Sequence, residues 1–217
     1  MTKLVTKRDI SPYRADIVGS FLRPKELKEA REKYSKGKIS KEDLKQIEDT
    51  EIICLINQQV EAGLKSVTDG EFRRSWWHFD FLWGLNGVEK VFLKEGKQFA
   101  HVKTRPESAQ IQGELSGDNH PFVDHFRFTL KHTPEGIEAR QSIPAPAQLF
   151  HIANLPNNIE STRAIYKDDE ELIEGIAQAY ATVLKDLYEA GARTVQFDDT
   201  TWVIYVILFQ KGFHKKK

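Results

Sequence analysis

The chain has 217 residues, enough for one large domain or two small ones, and its 32 basic side chains balance 32 acidic ones. That balance leaves no global field to draw a nucleic acid or an anionic membrane. One cysteine, Cys54, excludes an internal disulfide framework and fits a reducing compartment. The N-terminal M-T-K-L-V-T-K-R-D-I has no secretory apolar core, and the longest apolar run, Trp202–Phe209, is far shorter than the ~20 residues that span a bilayer. The expectation is a soluble cytoplasmic protein with neither nucleic acid nor membrane as partner.

In chain order, Ala15–Phe21 reads as a short buried strand ending in Gly-Ser. Pro24 sits where a helix can begin, and Lys25–Lys36 is helix-prone until Gly37. Ser40 and Asp43 form a capping-box-like start to a helix running to about Ala62. Leu44, Ile47, Ile52, Leu55, Ile56 and Val60 fall mainly on one side of it, and Cys54 reads as a small core residue. Gly63 closes that helix, and Leu64–Thr68 is the second strand. From Arg73 to Thr104 the pattern is irregular and aromatic, a functional excursion rather than a plain connection.

Ala109–Leu115 alternates like a strand and carries Glu114 near its end. Pro121–His132 spaces Phe122, Phe126 and Leu130 as an inward helical face, with His120 and His125 as surface residues flanking it. Ala139–Ala145 is a fourth strand that exits rigidly through P-A-P. Asp168 caps a helix reaching about Ala190, and Arg193–Phe197 is the fifth strand. Strands separated by helical crossovers predict a parallel sheet. An eight-stranded barrel typically takes about 250 residues, so five strands here look like an unfinished barrel.

One grammar occurs twice: helix, glycine stop, short strand, then carboxylates. It delivers Asp69 and Glu71 after Glu61–Thr68, and Asp198 and Asp199 after Glu189–Phe197. The carboxyl ends of parallel strands are where ligands and catalytic groups gather. Acids placed there twice point to an enzyme site; the plainer reading is exposed strand-end acids. The seven histidines show no metal-ligand spacing, and there is no phosphate loop, nucleophile elbow or dinucleotide fingerprint.

Five segments, in order, resemble the catalytic barrel of cobalamin-independent methionine synthase, particularly its single-barrel relatives. They are V-G-S-F at Val18–Phe21, E-A-G-L-K-S-V-T-D-G-E at Glu61–Glu71, I-Q-G-E-L at Ile111–Leu115, S-I-P-A-P-A-Q-L at Ser142–Leu149 and V-Q-F-D-D-T-T-W at Val195–Trp202. The resemblance implies an α/β fold of the (β/α)8 TIM-barrel type with about the first five strands present, over residues 1–202, then an atypical tail, 203–217. It also implies methionine synthesis, with a folate donor of the 5-methyltetrahydrofolate type passing its methyl group to the thiol of homocysteine, which zinc holds as a thiolate.

By position in those motifs, Gly19 and Ser20 would take the amino-acid carboxylate, and Glu71 and Asp198 its ammonium. Asp199 and Glu114 read as pocket groups or as acids turned towards a neighbouring loop or an arginine. His78 reads as a pocket candidate, while Trp76, Trp77 and Trp83 serve either packing or a pterin surface. No residue is assigned a catalytic role, and no metal ligand is found in this chain: the family's His, Cys, Glu and second Cys belong to later strands, where this sequence runs V-I-Y-V-I-L-F-Q-K-G-F-H-K-K-K.

The expectation is therefore a truncated or frameshifted fragment lacking the zinc half, of low independent stability and open to self-association through its sheet edges. Two other readings stand beside it. One is a barrel hydrolase such as a glycosidase, using Glu71 with Glu114 or Asp198. The other is a non-catalytic product that binds an amino acid or associates with another chain.

Overall fold

The computed structural model of the protein describes residues 16–94, 98–99 and 102–201. The run Trp202–Phe209, the tail 203–217 with its His214, His101 and the start of the expected first strand at Ala15 lie outside the described residues. The first elements are α1 (Lys25–Ser35), α2 (Lys41–Glu61), β1 (Ser66–Val67), α3 (Phe79–Leu82) and β2 (Asn86–Phe92). There follow β3 (Gln98–Phe99), β4 (Val102–Lys103), β5 (Glu107–Ser116), α4 (Pro121–His132), β6 (Glu138–Ala139) and β7 (Gln141–Pro144). Then come α5 (Pro146–Ala153), α6 (Ile159–Ile165), α7 (Asp169–Glu189) and β8 (Val195–Asp198).

These elements fall into two compact units: one takes the described residues up to Arg73 with Phe126–Gln141, the other Arg74–His125 with Ser142 onward. In the first unit, α2 begins at the expected capping box. Ser40 Oγ accepts from the Asp43 N–H, and the Asp43 carboxylate accepts from the Ser40 N–H, so two of the helix's orphan donors are satisfied reciprocally. The apolar stripe of α2 supplies Ile52, Leu55 and Ile56, which pack with Leu27 of α1, Val67 of β1 and Phe72. Around that cluster lie Phe21, Leu44, Val60, Phe128 and Ile137. Cys54 faces outward from α2 and is exposed, contrary to the expected core position; it falls between the buried ridges of Ile52 and Leu55–Ile56.

β1 pairs with β6 in parallel, Ser66 opposite Glu138 and Val67 opposite Ala139, as helical crossovers predict. The expected first strand is not one. The described part of it, 16–21, is irregular, and Val18 is 65% exposed. Its backbone is held by side chains and a turn instead of a ladder: Ile17 O accepts from Arg140, Gly19 O from Thr68, and the Phe21 N–H donates to Gly70 O.

In the second unit, β5 is antiparallel to β2, with Val88 opposite Ile111 and Phe92 opposite Glu107. This corrects both the parallel reading of Ala109–Leu115 and the irregular reading of the excursion: G-V-E-K-V-F alternates and finds a partner one hairpin away. β3 and β4 are likewise antiparallel. β7 pairs with β8, and the helices α5, α6 and α7 pack on β5 or on one another.

P-A-P is a helix start as well as a strand exit, since Pro146 stands at the first turn of α5, where its missing N–H costs nothing. Phe122 is buried as expected, whereas Leu130 at the far end of α4 is 38% exposed. His120 is buried, not at the surface. Among the described residues the sheets are four two-stranded ones, with no closed barrel, and no helix is long and apolar enough to cross a membrane.

Candidate functional site

The first unit gathers Gly19, Ser20 and Glu71 around the turn that follows β1. Gln59 of α2 occupies Thr68 on both sides: the Thr68 N–H donates to Oε1 at 3.0 Å, and Nε2 donates to Thr68 O at 2.9 Å. That pairing ends the ladder at Val67, shorter than the expected Leu64–Thr68. The Thr68 hydroxyl then donates to Gly19 O at 2.8 Å and accepts from the Gly70 N–H at 3.1 Å. Asp69 turns its carboxylate onto the Glu71 N–H at 2.9 Å, and its carbonyl accepts from the Phe72 N–H, an Asx-type turn.

Gly70 sits at φ +66, and a Cβ there would lie 2.2 Å from Leu55 Cδ2. Gly19 is at φ 148, a conformation only glycine adopts readily. Glu71, with no such freedom, is held at φ 59 and is buried to 3% exposure. A left-handed backbone at a non-glycine residue is strained and persists only where the surrounding bonds hold it.

Three arginines secure the turn. Arg23 donates to Glu71 O at 2.9 Å, lies 3.7 Å from Glu71 Oε2, and donates to Ser20 Oγ at 2.9 Å and Phe21 O at 2.8 Å. Arg31 donates to Phe72 O and pairs with Glu48 at 3.5 Å. Arg73 pairs with Glu48 at 3.5 Å and with Asp49, and its guanidinium lies 4.8 Å from the centre of the Phe128 ring. Burial pushes the Glu48 carboxyl up, against the pull of Arg31 and Arg73. On the other side of β1, Arg140 is buried, pairs with Asp16 at 2.7 Å and donates to Ile17 O. Burial acts to raise the Asp16 carboxyl, but the hydrogen bonds from Arg140 and the Ile17 N–H bring it below the usual carboxylate range.

The second unit holds the other candidates. Asp198 ends β8, half-buried, and its carbonyl accepts from the Ala145 N–H at 3.0 Å. Asp199 is exposed and turned back on its own chain, accepting from the N–H of Thr201 at 2.8 Å and from its hydroxyl. Glu114 is exposed and lines a cleft of about 400 Å³ with Tyr166, Glu171, Glu174 and Gln178. None of the other candidates lines that cleft.

Trp76 meets His78 and Phe79 edge-on at 5.9 and 5.3 Å, and the Arg105 guanidinium covers its face at 4.5 Å. His78 lies against Trp77 and Phe79, and Trp83 stacks on Phe79 with Lys90 4.4 Å from its ring centre. These contacts are those of packing. Arg74, buried, donates to Ser142 O at 2.6 Å and to Ser142 Oγ at 3.0 Å, joining two segments of this unit.

The sequence singles out Gly19, Ser20 and Glu71 as candidates but not Gln59, Thr68, Arg23 and Arg140, which hold the loop and turn that carry them. One signal was available: Gln59 is a polar residue on the apolar stripe of α2, and a buried amide must find partners.

No family model matches the chain. The uncharacterized protein YxjH of Bacillus subtilis is 42% identical over 199 residues, which are 92% of this chain and 51% of YxjH. A methionine synthase of Saccharolobus solfataricus is 27% identical over 183 residues, 84% of this chain and 51% of the synthase. The crystal structure of a candidate vitamin B12-independent methionine synthase from Listeria monocytogenes superposes with a TM-score of 0.71 at 37% identity, over 90% of this chain and 54% of that one. The chain is a relative of the B12-independent methionine synthases. It spans about half the length of the curated relatives it matches.

The methionine synthases it resembles have a fold of the TIM-barrel type. The zinc that such a relationship implies finds no fitting donor set among the described residues. Among the described residues no group of three or more His, Cys, Asp or Glu side chains could hold a metal ion, and the one thiol, Cys54, is exposed on α2, where Gln58 Nε2 lies 3.5 Å from its sulfur.

Proposed function

We propose that the chain serves B12-independent methionine synthesis as the part that binds the amino acid, homocysteine or methionine, through its free α-amino and α-carboxylate groups. The observation that carries this reading is the turn at Thr68–Glu71, where a buried carboxylate is held in a strained conformation beside the Gly19–Ser20 loop. Such a turn would fix an anionic group before any ligand arrives, so the ordering cost of binding an ammonium is already met.

In this reading Gly19 and Ser20 take the carboxylate and Glu71 takes the ammonium, each by its place in the shared motifs. Thr68 and Asp69 orient the loops, and the described residues bind and position rather than activate the thiol. A folate of the 5-methyltetrahydrofolate type is the proposed methyl donor for the complete reaction. Asp199, Glu114, His78 and Trp76 carry no assigned role in this reading.

Calorimetric titration of the full chain with L-methionine and L-homocysteine tests the reading. Saturable binding that weakens at least about tenfold in Glu71→Gln is expected, the scale of one lost charged hydrogen bond. No binding by the parent chain, or binding by Glu71→Gln as tight as the parent's, would overturn it.

A further inference from the structure

We infer that Arg23 is the positioning residue of this pocket: it turns the Ser20 hydroxyl towards the ligand's carboxylate and locks Glu71 in its strained turn. The inference rests on the amino-acid reading above for the identity of the ligand, but its structural part stands without it.

Arg23 has bonds to both halves of the pocket, to the Ser20 hydroxyl on one side and the Glu71 carbonyl on the other. Its Nη1 donates to Ser20 Oγ at 2.9 Å and to Phe21 O at 2.8 Å. Its Nη2 donates to Glu71 O at 2.9 Å and lies 3.7 Å from Glu71 Oε2. A guanidinium has donors and no acceptor, so Ser20 Oγ must accept from it, and the Ser20 proton is directed elsewhere. Ser20 is exposed. Its hydroxyl therefore meets solvent or ligand as a donor, backed by a fixed positive charge, which suits a carboxylate and not an ammonium or an amide N–H. The same fork spans 48 residues of sequence to hold the Glu71 carbonyl, and so steadies the φ 59 backbone. Lysine, with one compact ammonium, lacks the fork needed to serve these acceptors together.

Hydrogen exchange read by mass spectrometry on the full chain tests the structural part directly. The amides of Phe21, Gly70, Glu71 and Phe72 are all bonded within this joint. In Arg23→Ala their exchange should accelerate at least about tenfold while α7 stays protected, and Arg23→Lys should behave like Arg23→Ala. Ser20→Ala, which removes one acceptor only, is the second variant should Arg23→Ala fold poorly; it should loosen the Gly19–Phe21 stretch alone. Lys25→Ala, a charge deletion at an exposed neighbour, should change none of these amides.

Unchanged exchange in both Arg23→Lys and Ser20→Ala would overturn the inference whatever the ligand. Methionine titration supplies the other arm. Arg23→Lys should lose affinity for L-methionine at least about tenfold but lose little for methionine amide, which has no carboxylate to recognise. An equal loss for both ligands would reject the carboxylate-directing role. A parent chain that binds neither ligand would reject the amino-acid reading, while the exchange data would still decide the clamp.

Discussion

The Gln59 side-chain amide pairs with both backbone groups of Thr68, Oε1 accepting from the N–H at 3.0 Å and Nε2 donating to the carbonyl at 2.9 Å. A side chain from α2 thus does for Thr68 what a neighbouring strand would do. Gln59 is buried, so the pair cannot be replaced by water without opening the core. Gln59→Met keeps the length and loses both bonds, leaving two buried backbone groups unpaired at ~1–3 kcal/mol each. Urea unfolding should show a loss of about 2–4 kcal/mol. A variant within about 0.5 kcal/mol of the parent, the range of an ordinary surface change, would mean the amide is not holding Thr68.

The Thr68 hydroxyl relays that hold to the Gly19–Ser20 loop, donating to Gly19 O and accepting from the Gly70 N–H. Thr68→Val preserves shape and removes both bonds; Thr68→Ser preserves the bonds and removes a methyl group. We expect Thr68→Val to cost roughly 2 kcal/mol and to weaken methionine binding, and Thr68→Ser to bind as the parent does. Indistinguishable affinity for the two variants would exclude the relay.

At Glu71 stability and function should separate. A left-handed backbone at φ 59 costs an L-residue roughly 1–2 kcal/mol that glycine avoids. Glu71→Gly and Glu71→Ala both delete the carboxylate and its contact with Arg23 at 3.7 Å, so their difference isolates the backbone. The glycine variant should be the more stable by about 1 kcal/mol in urea unfolding, and neither should bind methionine. Equal stabilities would show that the turn carries no strain.

The local grammar of the fold was legible where one periodicity governed a whole element. The boundaries of α4 agree with the expected Pro121–His132, and α7 begins after an Asp168 cap that accepts the Glu171 N–H. Ser40 and Asp43 pair as their spacing predicts. The sequence failed where tertiary partners overrode local pattern. The expected strand Ala15–Phe21 has strand-like residues, but the backbone groups of Ile17, Gly19 and Phe21 are claimed by Arg140, Thr68 and Gly70. Asn86–Phe92 lay hidden among aromatics because a strand is recognised by its partner, here β5. The acids and the Gly-Ser loop were visible as motifs. Arg23, 48 residues from Glu71 in sequence, was not, because a long-range hydrogen bond leaves no periodic trace.

His120 gives the protein a pH dependence of known sign. It is buried beside Phe81 and Phe122, with Nε2 donating to Phe81 O at 2.9 Å and Nδ1 accepting from the Phe122 N–H at 3.2 Å. That second bond requires a neutral ring. Burial lowers its pKa to about 4, the Phe81 carbonyl works against this, and the charge of Arg74 adds to it. The unfolded ring titrates near 6.5, so between those values the unfolded chain binds the extra proton and stability rises with pH. The contribution is fully present above about pH 6.5 and is lost as pH falls towards 4, on the order of 3 kcal/mol in all. Glu48, whose carboxyl is raised by burial, acts in the opposite direction, so the comparison must be between variants. His120→Gln, which can still donate to Phe81 O but does not titrate, should be less stable at pH 7 and should flatten the slope of stability between pH 6.5 and 4. Parallel pH profiles for parent and variant would show that His120 is already charged in the folded protein.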